Sequence, residues 1–332
     1  MNLVSNSSGD ITTSKNVTFD LRSLKIPDRV KKRKRVANFI MERMLQLAAL
    51  LAIVTIFLIF VFVFKEALPI FTNPEIRNEA GLKDLFGAGA WQPVSDYPKY
   101  SLIPLIIGTL KVTIIAILFA TPLALGAAIF TTQFAPKRLK EAIKPIIEIL
   151  AGIPSVVMGA FALLVLATVL QKIFGCTMRL NAINAGIALG LAISPTIYSV
   201  ADDALLAVPK SFVEAAYALG ATKSQTIFRV IIPSAIPGIF AGFMLGLGRA
   251  IGETMIVLMA SGNAAIQSIN FLLSTRTLSA TVAAELGEVV FGDAHYSVLF
   301  FIGALLFILT FIVNFSANLL VQRFKEKLAG VR

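Results

Sequence analysis

Hydrophobic residues along the chain form six long runs that polar segments separate. The runs are Leu45–Phe64, Leu102–Phe130, Ile146–Leu170, Ala182–Val200, Ile236–Ala260 and Val298–Leu320. A helix needs about 20 apolar residues to cross a hydrocarbon core that is roughly 30 Å thick, and every run approaches or exceeds that length. The pattern therefore predicts an all-α, polytopic membrane protein with six transmembrane helices.

The composition agrees with this prediction, since 57% of the 332 residues are hydrophobic and 15% are charged. Soluble domains carry about 25% charged residues. Most of the 30 Lys and Arg residues fall in alternate polar segments, which are 1–44, 131–145, 201–235 and 321–332. Because cytoplasmic loops are enriched in Lys and Arg, we expect both chain ends in the cytoplasm.

The first 38 residues differ from the rest because they are polar and end in a basic block, DRVKKRKR, at 28–35. Clusters of Lys and Arg next to a membrane span bind anionic head groups. We therefore expect residues 1–38 to form a flexible cytoplasmic tail whose basic end lies against lipid, with no nucleic-acid role. Residues 39–332 form the predicted transmembrane domain.

Few residues are suited to catalysis or to holding a metal. The chain has one Cys, Cys176, and one His, His295, which excludes an internal disulfide and leaves no histidine cluster for a metal. The pentapeptide GATKS at 220–224 ends like a phosphate-binding P-loop, but it lacks the glycine before Lys223 and the glycine that starts that motif. No cofactor and no enzymatic activity are expected.

The polar segment between the fourth and fifth runs, 202–238, has an ordered pattern. Ser211 and Glu214 are spaced as a helix capping box, helix-forming alanines follow, and Gly220 stands where a left-handed residue ends a helix. A second capping box starts at Thr222. Prolines at 233 and 237 are expected to break the second helix, which predicts a helix–turn–helix elbow before the fifth span.

The sequence EAAYALGATKSQTIFRVIIP, Glu214–Pro233, resembles the EAA loop of ABC-importer permeases: Glu-Ala-Ala, three residues, Gly, nine residues, an apolar triplet and Pro. The resemblance implies a type I importer permease with a MetI-like transmembrane fold. It also implies that Glu214, Ala215, Ala216 and Gly220 belong to a coupling helix that docks on a separate ATP-hydrolysing subunit. The chain itself would then not be an enzyme.

A second resemblance lies in the fifth run, where GRAIGETM, Gly248–Met255, is similar to permeases of the high-affinity phosphate (Pst) ABC transporter. LAGIPSVVMG at 150–159 and TLSATVAAELGE at 277–288 agree with it, and ELGE…HYS looks like the C-type subunit. The resemblance spans roughly residues 40–325. It implies a phosphate-transporting permease of the bacterial inner membrane, with Arg249 and Glu253 on the substrate path.

The chemistry of Arg249 and Glu253 supports the same interpretation. Each charge costs roughly 2.5–3.5 kcal/mol at the centre of a membrane-spanning helix, so such residues are usually functional. The guanidinium fork matches phosphate oxygens. Four residues apart on one helix, the two side chains would share a face, and Glu253 could accept a hydrogen bond from a protonated phosphate oxygen. The alternative is a structural ion pair between spans.

The resemblance also implies partners. They are a second homologous permease subunit (PstA type), a cytoplasmic ATPase dimer (PstB type) and an external phosphate-binding protein (PstS type), besides phosphate and membrane lipid. Lys111, the third charge within a run, either snorkels outward or joins the anion path.

Three other functions remain open on the sequence. A permease for sulfate or molybdate is expected to carry Phe-Gly after Gly-Glu, where this chain has Thr254-Met255. A proton-coupled anion symporter acting alone would leave the ordered 202–238 segment unexplained. A membrane enzyme would need a catalytic constellation.

Overall fold

The computed structural model describes residues 28–87 and 89–328. By its internal contacts the chain divides into two units, Met1–Ile59 and Phe60–Arg332. The described part of the first unit belongs to one helix, α1 (Asp28–Ala67). The backbone of residues 28–38 is thus helical, whereas residues 1–27 of the predicted flexible tail lie outside the described residues.

Helices dominate the described part of the second unit as well. After α1 come α2 (Pro69–Thr72), α3 (Pro74–Glu79), α4 (Leu82–Phe86), α5 (Ile103–Ile129), α6 (Lys137–Ala151), α7 (Ser155–Phe161), α8 (Ala167–Phe174), α9 (Ala182–Leu206), α10 (Lys210–Ala218), α11 (Lys223–Thr226), α12 (Ile232–Gly252), α13 (Met255–Ala260), α14 (Leu278–Glu285) and α15 (Ala294–Leu328). Single π-helical turns continue α5, α7 and α11 at Phe130–Phe134, Ala162–Leu166 and Ile227–Ile231. A short antiparallel hairpin, β1 (Trp91–Gln92) and β2 (Lys99–Tyr100), lies between α4 and α5.

Six helical stretches of the described chain are long and apolar enough to cross a membrane, as the sequence predicts. They are Asn38–Thr72, Ile103–Phe134, Ser155–Phe174, Ala182–Leu206, Lys223–Gly252 and Ala294–Arg323. The all-α, six-helix prediction is confirmed. Three of the predicted boundaries need correction: the starts of the third and fifth spans, and the end of the fifth, which lies at Gly252.

The third predicted span starts too early. Residues 146–151 belong to α6, a separate helix that ends at Ala151, and the membrane-crossing stretch begins only at Ser155. Pro154 accounts for the break, because a proline disfavours helical geometry in the residue before it and fits well at a helix start. The sequence runs apolar across this break, so hydropathy alone could not reveal it.

The fifth span starts earlier than predicted, at Lys223, because the two prolines do not break it. Pro233 directly follows the π-helical turn Ile227–Ile231, the kind of local irregularity that accompanies an interrupted hydrogen-bond ladder. Pro237 is buried inside the helix. A Cβ atom on Gly238 would lie 2.4 Å from the Cβ atom of Ala204, so α12 is pressed against α9 here. Tertiary packing outweighs the low helix propensity of proline.

The main core of the second unit forms where α5, α9 and α12 meet. Small residues line the contact, and Ala116, Ala120 and Ala188 have no exposed surface. A Cβ atom on Gly190 would lie 3.0 Å from the carbonyl oxygen of Ala116. Membrane helices approach this closely only through small side chains, so the composition of these helices fixes their spacing.

A second buried cluster lies within the same unit, between α4, the hairpin, α14 and the first turns of α15. Leu85, Leu102 and Leu278 have no exposed surface, and Leu299 is 1% exposed. This cluster holds the segment between α1 and α5 against the segment that links α13 to α15.

Candidate functional site

Arg249 lies in the last turn of α12, and its side chain is directed toward α9. Its Nη1 atom donates a hydrogen bond to Oγ1 of Thr196, at 2.9 Å. Arg249 as a whole is exposed on the single chain. Because a guanidinium carries five N–H donors, this one bond leaves most of the fork available.

Glu253 stands outside the helix that carries Arg249, contrary to the prediction that the two share a helix face. α12 ends at Gly252, and Glu253 is extended, with φ −68° and ψ 132°. Its carbonyl oxygen accepts a hydrogen bond from Ser279 Oγ at 2.8 Å. No ion pair joins Arg249 to Glu253 among the described residues. Glycine is a poor helix former, and the Ser279 contact holds the carbonyl group away from a helical path.

The carboxylate of Glu253 has a nearby donor. Its Oε1 atom accepts a hydrogen bond from the backbone amide of Thr254, at 3.2 Å. The side chain is half-buried, so it is neither sequestered in the core nor fully solvated. The helix is therefore interrupted within the fifth predicted run, between α12 and α13, and the Glu253 carboxylate lies at this interruption.

Buried hydroxyl groups at the start of α14 support this break. Thr277 and Ser279 are 2% and 6% exposed, and their hydroxyl oxygens lie 3.3 Å apart. The backbone amide of Leu278 donates to Oγ1 of Thr109 on α5, at 3.0 Å. The sequence marks Thr196 as a polar group within the fourth run, which either faces the path or serves packing, and it gives Ser279 no role. A hydroxyl in an apolar setting is the available signal, but many such groups satisfy only their own helix.

Lys111 does not snorkel to the membrane surface, since it is 4% exposed. Its Nζ atom donates to the backbone carbonyl of Ser268, at 3.1 Å. The side chain thereby ties α5 to the irregular segment that follows α13.

The EAA loop begins differently from the prediction. α10 starts at Lys210 behind Pro209, and no side chain caps it. The predicted box of Ser211 and Glu214 is therefore wrong, because the helix begins before Ser211 and Pro209 occupies the cap position. Glu214 and Ala215 are exposed, and Ala216 is buried.

The turn of the EAA loop follows the prediction. Gly220 has φ +79°, a left-handed conformation that is costly for other residues. Thr222 and Gln225 then form the predicted capping box of α11, with hydrogen bonds of 2.9 and 3.3 Å. Lys223 Nζ lies 5.1 Å from the centre of the Phe134 ring, at the end of the second span.

A polar cluster joins the hairpin to the segment around α14. Glu285 forms an ion pair with Arg276. Its carboxylate also contacts Nε2 of His295 at 3.0 Å and accepts from Trp91 Nε1 at 3.1 Å. Burial raises the pKa of Glu285, but the bonds to His295 and Trp91 and the charge of Arg276 outweigh burial and hold this pKa below its usual value.

Residues 120–326 match the family model described as "Binding-protein-dependent transport system inner membrane component". This stretch exceeds half of the chain and includes Arg249, Glu253 and the whole EAA loop. The chain belongs to that family. It is therefore a multi-pass inner-membrane component of a transport system. The matched stretch contains the helix interruption at Glu253 and the helix–turn–helix elbow.

Curated relatives of this permease are also named as permeases. It is 38% identical over 253 residues to the phosphate transport system permease protein PstC of Mesorhizobium japonicum, covering 70% of this chain and 76% of the relative. The PstC protein of Xylella fastidiosa is 33% identical over 261 residues, with 73% and 79% covered. The probable ABC transporter permease protein YqgH of Bacillus subtilis is 36% identical over 222 residues, with 67% and 72% covered.

Solved structures confirm the fold of the permease. A chain of the inward-facing MetNI methionine ABC transporter aligns with a TM-score of 0.54 at 20% identity, covering 67% of this chain and 95% of that one. A chain of a bacterial alginate ABC transporter aligns with a TM-score of 0.58 at 18% identity, covering 87% and 99%. The MetI-like, type I importer fold expected from the EAA loop is confirmed.

Proposed function

We propose that this chain is the membrane-spanning permease subunit of an ATP-driven phosphate importer and forms the path for inorganic phosphate. The observation that carries the proposal is Arg249, an exposed residue of the single chain whose guanidinium group is held by Thr196 at 2.9 Å. The names of the two PstC relatives support phosphate as the substrate. In the bacterial inner membrane both chain ends lie in the cytoplasm, in line with the Lys and Arg distribution.

Arg249 holds the anion during passage. The bond to Thr196 restricts the rotation of the guanidinium group, so the remaining N–H groups are directed before phosphate arrives. Charge-assisted, bidentate bonds from arginine to phosphate are about twice as strong as neutral hydrogen bonds. When phosphate displaces water from the site, the local dielectric constant falls and these bonds become stronger still.

Glu253 distinguishes phosphate from fully ionised oxyanions. The amide of Thr254 occupies one carboxylate oxygen, and a carboxylate offers further acceptor positions. Monohydrogen phosphate can donate its proton to such an acceptor, whereas sulfate at neutral pH has no proton to donate. Because no ion pair neutralises Glu253 among the described residues, its charge also repels an anion that brings no donor.

Glu214, Ala215, Ala216 and Gly220 form the coupling element for the ATPase dimer. Apolar side chains are exposed beside them on α10 and the turn that follows it, with Phe212 52% exposed and Leu219 89% exposed. Apolar groups at the tip of a polar loop fit a cleft in a partner protein. A second, PstA-type permease completes the path, a PstB-type ATPase dimer drives the cycle, and an external PstS-type protein delivers phosphate.

Transport by the reconstituted complex tests the proposal. The permease, the second permease, the ATPase and the binding protein are placed together in vesicles, and uptake of radioactive phosphate, sulfate and molybdate is measured. We expect the complex to take up phosphate, but not sulfate or molybdate, and to require ATP. Equal uptake of sulfate or molybdate would assign the chain to another oxyanion, and uptake without the ATPase would identify a proton-coupled symporter.

A further inference from the structure

The helix between the second and third spans, α6, has an apolar face that the described chain covers only in part. No residue of α6 is buried. Two apolar residues of this face, Ile143 and Ile147, pack against the main core. The others form an uncovered stripe: Leu139 is 41% exposed, Ile146 56%, Ile149 70% and Leu150 45%.

The lengths of the connections keep α6 at the membrane surface. Phe134 ends the second span, and α6 begins three residues later at Lys137. Ala151 ends α6, and the third span begins four residues later at Ser155. Since an extended chain covers at most about 3.6 Å per residue, the ends of α6 lie within roughly 11 and 14 Å of the spans. The helix itself is about 22 Å long.

The opposite face of α6 is predominantly basic. It carries the cations Lys137, Arg138, Lys140 and Lys144 and the anions Glu141 and Glu148. Helices with a Lys- and Arg-rich face and an apolar face lie in the plane of the membrane interface. There the ammonium and guanidinium groups reach anionic head groups while their aliphatic stems cover apolar surface.

An apolar cavity extends the stripe into the protein. It has a volume of about 510 Å³ and lies between α5, α6, α7 and α9. Its lining includes Leu123, Ala127, Ile147, Leu150, Val157 and Phe161. Leu150 belongs both to the stripe and to the cavity wall, so the two form one apolar surface.

We propose that α6 is a binding surface for anionic phospholipid of the cytoplasmic leaflet. The lipid phosphate groups lie against the four basic residues, and the acyl chains cover the stripe and enter the cavity. Charge complementarity and the short tethers to both spans identify lipid as the occupant. The inference goes beyond the proposed function, since it does not depend on which anion is transported.

Depth-dependent quenching tests which occupant covers the stripe. Cys176→Ser removes the native thiol, and Ile149→Cys then carries a fluorescent label. Glu141→Cys, on the polar face of the same helix, is the matched control. In the complete complex in vesicles, brominated lipid should quench the label at 149 several-fold more than the label at 141. A label at 149 that lipid cannot quench would show that a partner subunit covers this face, which would overturn the proposal.

Head-group preference tests the basic face. With the label at 149, we expect brominated phosphatidylglycerol to quench several-fold more than brominated phosphatidylcholine. Changing the four basic residues of α6 to Gln should abolish this preference. The control variant Lys83→Gln with Lys99→Gln changes two lysines in the segment between α1 and α5 and should retain it. Equal quenching by both lipids in the unchanged permease would refute the anionic specificity.

Discussion

The Nη1 atom of Arg249 lies 2.9 Å from the Oγ1 atom of Thr196, so a hydrogen bond joins the last turn of α12 to α9. The hydroxyl uses one N–H group and leaves the rest of the fork available for an anion. This contact makes Thr196 a positioning residue in the proposed path, and it suggests the first experiment.

Thr196→Val keeps the shape of the side chain and removes the hydroxyl. We expect phosphate transport by the reconstituted complex to fall about tenfold, because an unheld guanidinium group loses orientation, and one such hydrogen bond contributes about 1.5 kcal/mol. Thr196→Ser should restore most of the rate. Normal transport by the Val variant would show that Arg249 needs no support from α9.

Arg249 itself should be essential. Arg249→Gln is expected to abolish uptake, since the amide carries no charge, and Arg249→Lys should retain only part of it because the planar fork is lost. The measurement is ATP-dependent phosphate uptake at equal membrane content of permease. If both charges were structural, the double change Arg249→Met with Glu253→Leu would transport almost normally, and that result would exclude a substrate role.

Glu253→Gln should act on selectivity more than on rate. The amide keeps the shape but offers a weaker acceptor to a protonated phosphate oxygen and no longer repels sulfate. We expect slower phosphate uptake and a ratio of phosphate to sulfate uptake that falls severalfold. Competition of unlabelled sulfate with labelled phosphate measures this ratio. An unchanged ratio would place discrimination elsewhere, including on the external binding protein.

Gly220→Val should uncouple ATP hydrolysis from transport. A residue with a Cβ atom pays roughly 1–2 kcal/mol in the left-handed conformation, so the turn of the EAA loop should change shape. Membrane insertion should persist while ATP-driven uptake is lost. Gly175→Val is a matched control, because Gly175 also has a positive φ, +61°, and open space around it. Loss of uptake in both variants would indicate general strain.

Glu285 should stabilise its polar cluster with Arg276, His295 and Trp91 in a pH-dependent way. Its folded-state pKa lies below the ordinary value of about 4.5, so its stabilising contribution is present above that value and is lost as the pH falls through the folded pKa. We expect Glu285→Gln to lower the melting temperature of the purified permease at pH 7, through a loss on the order of 2 kcal/mol. The difference should shrink as the pH falls through the lowered pKa of Glu285. A constant difference would assign the effect to packing.

Hydropathy and local turn chemistry predicted much of this architecture. The six spans follow from apolar run length, and the left-handed Gly220 and the cap at Thr222 follow from short-range geometry. Each of these depends on residues close together in sequence. The same logic failed at Ser211, because Pro209 sets the helix start before the serine can cap it.

The break at Glu253 could not be predicted in this way. Locally, Arg249 and Glu253 fit one helix, and the contact that holds Glu253 outside it comes from Ser279, 26 residues further along. The prediction that Pro237 breaks the helix is wrong for the opposite reason, since contact with α9 stabilises a helix that the local sequence disfavours. Long-range contacts decide both cases. The end of α6 has a local cause, Pro154, and was missed because the sequence around 146–155 is continuously apolar.

The packing of Gly190 against Ala116 has a mechanical consequence. With backbone at contact distance, α9 cannot slide along α5 at this point without first separating from it. α9 also leads directly toward the EAA loop, because α9 ends at Leu206 and α10 begins at Lys210. Thr196 lies ten residues before the end of α9, about 15 Å along the helix axis. If the ATPase moves the elbow in the proposed cycle, the displacement reaches the Thr196 contact of Arg249 through this one helix.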